Sequence, residues 1–342
     1  MESQRGFALG MAAGLAAVAI GSRAARSRHR IDFAGRSVMI TGGSRGLGLV
    51  LARRLVAEGA RVCLIARDGE ELGRAAEQLR RIREDAIVMT MRCDVRDRND
   101  VNAAVETILT KWHAVDVLIN NAGVIQVVPL EHMTQRDFDN AMATHFSGPL
   151  HTMQALIPSM RRRAFGRIVN ISSIGGRVAV PHLAPYSASK FALAGLSDAV
   201  RSELDQYGIR VTTVSPGLMR TGSPRNAEVK GRHKAEYAWF AIADSLPGMS
   251  VSAERAAREI IEACRYGEPE LTISLAAKAA IAANAIAPAL LARLMMLGVR
   301  MLPRPAGAEG DQVRRGHESE SKWAPSVATI LSERAAAVNN ER

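Results

Sequence analysis

Residues 37–48 read Ser-Val-Met-Ile-Thr-Gly-Gly-Ser-Arg-Gly-Leu-Gly. Ser37–Ile40 has the composition of a short buried strand. Thr41 to Gly48 follows at once, with glycines at 42, 43, 46 and 48. Behind them, Leu49, Arg53 and Val56 repeat at helical spacing up to Gly59, a helix terminator. Glycine lets a backbone turn tightly and come close to a phosphate. The free amides and dipole of the next helix N-terminus attract its charge. A bare glycine cluster is a weak signal, and a tight structural turn is the competing reading. A cluster set between a strand and a helix is a stronger one.

Outward from this loop, β-branched runs alternate with helical patterns. The expected strands are Ser37–Ile40, Arg61–Ile65, Ala86–Arg92, Val115–Ile119, Arg167–Ile171, Arg210–Val214 and Glu270–Ile273. Repeated strand–helix–strand units predict an α/β fold, a Rossmann-like doubly wound parallel sheet of about seven strands flanked by helices. The low aromatic content, 4%, suits an aliphatic core of this kind. Ligands in such sheets bind beyond the carboxyl ends of the strands, so the chemistry is expected after strands one, four, five and six. The expected organisation is an N-terminal segment 1–30, a nucleotide-binding domain 31–273, an apolar helical extension 274–302, and a polar linker with a short helix over 303–342.

The second strand ends Leu64-Ile65-Ala66-Arg67, where an acid would commonly bind the ribose hydroxyls of NAD. Arg67 and Arg45 instead suit a 2′-phosphate, because a guanidinium binds phosphate through paired donors. The expected cofactor is NADP(H), with NAD(H) the lesser alternative. After the fifth strand come Ser172, Ser173 and then Tyr186-Ser187-Ala188-Ser189-Lys190. Tyr186 and Lys190 are four apart and share a helix face. A nearby ammonium lowers a phenol pKa, which makes Tyr186 a candidate acid/base at a carbonyl or alcohol oxygen. Ser173 is placed to hydrogen-bond the same oxygen. Taken alone, a tyrosine four residues before a lysine is as often structural.

Together these residues resemble the short-chain dehydrogenases/reductases, in their short single-domain branch. The resemblance covers about 33–273 and runs through five ordered motifs. Thr41, Gly42, Ser44, Arg45, Gly46, Leu47 and Gly48 resemble the family's cofactor loop. Asn120-Asn121-Ala122-Gly123 is similar to its sheet-stabilising, cofactor-lining motif. Cys93-Asp94-Val95 resembles the adenine-contacting stretch, and Pro216, Gly217, Met219 and Thr221 the loop that contacts the nicotinamide. Ser173, Tyr186 and Lys190 match the catalytic trio, and Lys190 would also hold the nicotinamide ribose. The resemblance implies a dimer or tetramer formed through the helices carrying His145 and Tyr186. One position departs. Where the family has an asparagine that holds a water behind the lysine, this chain has His145, in Thr144-His145-Phe146-Ser147-Gly148. Histidine donates, accepts and titrates near neutrality. Either it replaces the asparagine in the proton relay with a sharper pH dependence, or the relay is impaired.

The ends and the substrate side add context. An uncharged Ala/Gly-rich run at 6–22 is followed by Arg23, Arg26, Arg28 and Arg30. This reads as a short membrane anchor with the catalytic domain held in the cytoplasm; a helix packed on the domain and a signal peptide are the alternatives. The stretch 271–302 reads as an amphipathic helix on a membrane surface, or as a helix at a subunit or pocket surface. Over 222–250 a basic start gives way to Tyr237, Trp239, Phe240 and Ile242, which either line an apolar substrate pocket or pack a lid. A tether and an apolar lid point to a lipophilic carbonyl or alcohol. The net charge of +11 is scattered, without a nucleic-acid-binding signature. Cys63, Cys93 and Cys264 are too far apart in the chain for a disulfide framework or a metal cluster, which fits a reducing compartment. Two other functions compete with the oxidoreductase: a catalytically weak NADP-binding scaffold or sensor, and a sugar-nucleotide epimerase of the extended branch, which the glycine spacing and Asn120–Gly123 disfavour.

Overall fold

The computed structural model describes residues 28–246 and 248–341. Seven strands form one parallel sheet: β1 Ser37–Thr41, β2 Arg61–Ala66, β3 Val88–Arg92, β4 Val117–Asn120, β5 Gly166–Ile171, β6 Ile209–Pro216 and β7 Glu270–Ile273. Their spatial order is β7-β6-β5-β4-β1-β2-β3. The order reverses between β1 and β4, where Thr41 lies beside Asn120. β1 is buried along its whole length, as an inner parallel strand covered on both faces must be. All seven expected strands are present. The third and fourth each start two residues later than the apolar runs suggested, at Val88 and Val117.

Helices close both faces. On one, α1 (Gly46–Ala57) and the helix Ala253–Tyr266 bury Leu49, Leu51, Leu55, Ile260 and Ile261 with Val38, Ile40 and Phe33. On the other, Arg98–Trp112 and Gly148–Arg162 bury Val101, Ile108, Leu156 and Met160 with Met39, Leu118 and Ile168. Each fully buried aliphatic side chain contributes about 1.5–3 kcal/mol. The three cysteines are free and buried.

Two features lie outside this frame. The apolar extension is a pair of helices, Leu275–Ile286 and Pro288–Val299, broken where Pro288 starts the second. The first buries only Ala277 and the second buries none of its residues. The stretch 303–341, expected to begin as a linker, is strapped to the domain. Arg314–Arg315 pairs with Glu228–Val229, which pairs with Gln126–Val127. The stretch then ends in a helix, Ile330–Val338. Its polar residues find partners in the domain, such as His132 Nδ1 with Asp311 at 2.7 Å, so it stays docked without a large apolar face. The expected anchor at 6–22 lies outside the described residues. Among the described residues, no helix is long and apolar enough to cross a membrane.

Candidate active site

Four segments meet at the carboxyl edge of the sheet: the loops after β1, β4, β5 and β6. The glycine loop turns with Gly42 and Gly46 at φ of +62° and +55°. A Cβ on Gly42 would come within 2.8 Å of Ala122 Cα, and one on Gly48 within 2.1 Å of the Gly42 carbonyl oxygen. Glycine is therefore required at both. Thr41 Oγ1 accepts the amides of Asn121 (3.0 Å) and Ala122 (3.1 Å), while Asn121 Nδ2 donates to the carbonyls of Thr41 and Gly42. The loop after β4 thus braces the glycine loop from below. Gly123 sits against His145, whose Nε2 would be 3.2 Å from a Cβ there.

The two arginines part company. Arg67 is exposed at the end of β2. Asp68 beside it caps the next helix, its Oδ1 accepting the amides of Glu70 and Glu71 at 2.9 Å. Arg45 is held by Glu71 at 2.6 Å, and Ser44 Oγ donates to the same carboxylate at 2.8 Å. Leu47 is buried at the start of α1. Asp94 is engaged by Arg96, and the adjacent Val95 packs on Gly148, where a Cβ would meet its Cγ2 at 2.9 Å.

Ser173, two residues beyond β5, is extended and accepts the Gly175 amide at 3.0 Å. Tyr186 and Lys190 lie in the first turns of the helix Ala184–Leu204, near Pro185. The Tyr186 hydroxyl is hydrogen-bonded to Ser173. Burial pushes that hydroxyl up; the Ser173 bond pulls against this, and the Asp244 carboxyl adds to the rise. Lys190 Nζ donates to the Ile171 carbonyl at 2.8 Å and lies 5.7 Å from the Tyr186 ring centroid. Burial brings the ammonium down to about 7. Burial, rather than the Lys190 ammonium, sets the direction of the Tyr186 shift in this arrangement. The amine is tied to the strand and only partly charged at neutrality, while the phenol is dominated by its own desolvation.

His145 differs from expectation as well. It sits in a π-helical turn, Ala143–Ser147, between the helices Gln135–Met142 and Gly148–Arg162. Its Nε2 accepts the Val124 amide at 3.1 Å, and its Nδ1 is 2.7 Å from Ser189 Oγ. An accepting Nε2 leaves the proton on Nδ1, which donates to Ser189 Oγ, and Ser189 Oγ donates its own hydrogen bond to the Tyr186 carbonyl at 2.8 Å. Burial, reinforced by the Lys190 charge, holds the imidazole well below its usual range. The expected titration near neutrality is thus overturned. The ring stands edge-on to Tyr186, centroids 5.4 Å apart.

After β6, Pro216 and Gly217 turn the chain, with the Gly217 amide donating to Ile273 at 3.2 Å. The Met219 amide donates to Asp244 Oδ1 at 3.0 Å, and Thr221 Oγ1 pairs with Ser223 Oγ at 2.5 Å. The aromatics of the helix His233–Ser245 divide. Trp239 and Phe240 join Tyr186, Val180 and Leu183 in one apolar cluster, while Tyr237 packs against Ala324. Unlike Asn120, the residues Asn170, Thr152, Ser197 and Asp244 were not singled out from the sequence. Asn120 Nδ2 donates to Asn170, Thr152 Oγ1 to Asn120, and Asn170 Nδ2 to Ser197, a buried polar ladder behind the site. Asp244 is buried with Oδ2 unpartnered and burial pushes it up to about 8. A lone acid amid Phe240, Ala241 and Ile242 was the available signal.

Known proteins agree with this arrangement. The short chain dehydrogenase family pattern matches residues 36–230. An uncharacterized oxidoreductase of Mycobacterium bovis is 38% identical over 186 residues, 54% of this chain and 74% of that protein. A metagenomic short-chain oxidoreductase, solved in complex with NADP, is 34% identical with a TM-score of 0.52, covering 55% of this chain and 83% of its own. An actinorhodin polyketide ketoreductase variant, solved with NADPH, is 30% identical with a TM-score of 0.63, covering 70% of this chain and 96% of its own. With the seven-stranded order, the braced glycine loop and the Ser173–Tyr186–Lys190 cluster, these matches establish that the chain belongs to the short-chain dehydrogenase/reductase family of oxidoreductases.

Proposed function

We propose that this protein is an NADP(H)-dependent oxidoreductase that interconverts a carbonyl and an alcohol, acting on a lipophilic substrate. The carrying observation is the placement of Ser173 beside Tyr186, with Lys190 one helical turn further on, at the sheet edge that also bears the glycine loop. The residues suit the cofactor. Gly42 and Gly48 leave no room for a side chain, and the face of Gly46 meets the Glu341 carboxyl, which burial pushes up to about 7. Thr41 through Gly48 would hold the pyrophosphate, Arg45 and Arg67 the 2′-phosphate, Asp94 and Val95 the adenine side, and Asn121, Ala122, Gly123, Pro216, Gly217, Met219 and Thr221 the nicotinamide half. Two of the similar solved structures carry NADP or NADPH, which supports the phosphorylated cofactor. When bound, that cofactor supplies or accepts the hydride. In reduction Tyr186 donates its proton to the carbonyl oxygen, Ser173 donates a hydrogen bond to the same oxygen, and Lys190 resupplies the proton. In oxidation each transfer reverses.

The apolar cluster of Trp239, Phe240, Val180 and Leu183 around Tyr186 supports a lipophilic substrate. Membrane association through residues 6–22 and the exposed helix Pro288–Val299 fits the same reading, as does a dimer or tetramer through the helices carrying His145 and Tyr186. The test is NADPH oxidation with a panel of long-chain, cyclic and small polar carbonyls. Lipophilic ketones should turn over, and Tyr186→Phe should lower turnover by about 10²–10⁴-fold with NADPH binding intact. Turnover of small polar aldehydes alone refutes the substrate class. One observation favours a weak or non-turning-over cofactor binder instead: both His145 nitrogens are engaged. Equal, negligible turnover in wild type and Tyr186→Phe would establish that alternative.

A further inference from the structure

The segment after the helix Ile330–Val338 lies inside the site. Gly46 N–H, the first amide of α1, donates to the Asn339 carbonyl at 2.9 Å. That amide belongs to the set a helix N-terminus offers to a phosphate. Asn340 Nδ2 donates to the Ser44 carbonyl at 2.9 Å and to the Glu71 carbonyl at 3.1 Å. Arg74 Nε donates to Asn340 Oδ1, and Arg53 to Asn339 Oδ1, both at 2.9 Å. The Glu341 carboxylate reaches across the cleft. It accepts the Gly222 amide, just past Thr221, while its Oε1 lies 3.2 Å from where a Cβ on Gly46 would stand. Asn339, Asn340 and Glu341 are all buried. One short stretch thus joins the glycine loop to the end of the nicotinamide loop, the path a dinucleotide would follow. It does so with a carboxylate against Gly46 and two asparagine side chains.

Beside it, the expected phosphate ligands are engaged: Arg45 and Ser44 Oγ are both held by Glu71. The preceding helix is anchored on the opposite wall. Ser332 Oγ accepts a hydrogen bond from Ser245 Oγ at 2.7 Å, and Ala336 lies 2.7 Å from a would-be Cβ on Gly222.

We infer that residues 339–341 are a built-in competitor for the dinucleotide, seated in its phosphate cradle and released when the cofactor enters. This rests on reading the glycine loop as the dinucleotide site. The two occupants need the same Gly46 amide and the same space, so binding of one excludes the other. The apparent affinity for cofactor is then reduced by the fraction of molecules in which the segment is out. A partner or surface that draws the segment away would switch the enzyme on.

The experiment compares NADPH affinity, by fluorescence titration, in the full chain, in Asn340→Ala and in a chain ending at Thr329. Hydrogen exchange of amides 330–341 in the full chain is measured with and without saturating NADPH. The inference expects NADPH to bind at least threefold more tightly to Asn340→Ala and at least tenfold more tightly to the shortened chain, and exchange to rise on NADPH binding. Unchanged or weaker affinity, or exchange that stays constant or falls, overturns it, because the segment would then be neutral or part of the bound site. Asn340→Ala decides alone if the shortened chain does not fold. If no form binds NADPH or NADH, the reading of the loop itself has failed, and the inference falls with it.

Discussion

At the scale of single residues, the chemistry turns on how deeply Lys190 is buried. Its amine is held near 7 because only the Ile171 carbonyl replaces the water it has lost. In the unfolded chain a lysine titrates near 10.4. Between these values the unfolded state binds the extra proton, so stability rises with pH across that window. Urea denaturation of wild type and Lys190→Met should therefore differ most below pH 7. The disadvantage of wild type, roughly 3–5 kcal/mol, should fade as pH approaches 10. A pH-independent difference would show that the amine is not held down. Tyr186 and Lys190 were legible because their spacing is local and helical, and Ser173 because it follows closely on a strand. The engagement of Arg45 was not, since Glu71 approaches from another helix.

At the scale of elements, the π-helical turn Ala143–Ser147 decides what His145 does. The widened turn sits where the imidazole bridges the Val124 amide and Ser189 hydroxyl. Removing it leaves the part-buried Val124 amide without its acceptor and Ser189 Oγ with only its bond to the Tyr186 carbonyl, at a cost of about 1–3 kcal/mol. His145→Ala should lose that much in chemical denaturation and lower kcat through looser placement of Tyr186. The pH–rate profile should not move near neutrality, because burial holds the imidazole well below its usual range. A shifted acid limb would restore His145 to the proton path. The strands and most helices could be read from hydrophobic periodicity, whereas the π turn has no periodic signature. The polar ladder of Asn120, Asn170, Thr152 and Ser197 carried one legible hint, asparagines inside apolar strands.

At the scale of the molecule, the unsupported feature is the helical pair after β7. Leu290, Leu294, Leu297 and Met301 are exposed, with Arg293 and Arg300 among them. An apolar stripe flanked by cations suits an anionic bilayer surface. Co-sedimentation with vesicles containing anionic lipid should capture the chain, and the double substitution Leu290→Glu and Leu294→Glu should reduce capture at least tenfold without changing NADPH affinity. Retained capture by the double variant would place the membrane contact elsewhere.

The sequence by itself determined the order of strands and helices, the glycine loop, and the residues of the proposed acid/base cluster. Each depends on neighbours within a turn or a strand, where period and spacing are sufficient. Tertiary structure alone decided the burial that lowers His145 and Lys190, the pairing of Arg45 with Glu71, and the seating of 339–341 against Gly46. Those outcomes depend on burial and on contacts between residues as many as 296 positions apart, as in Asn340 with Ser44. No local pattern encodes such pairings, because the competing partner for each polar group is chosen only when the chain is packed.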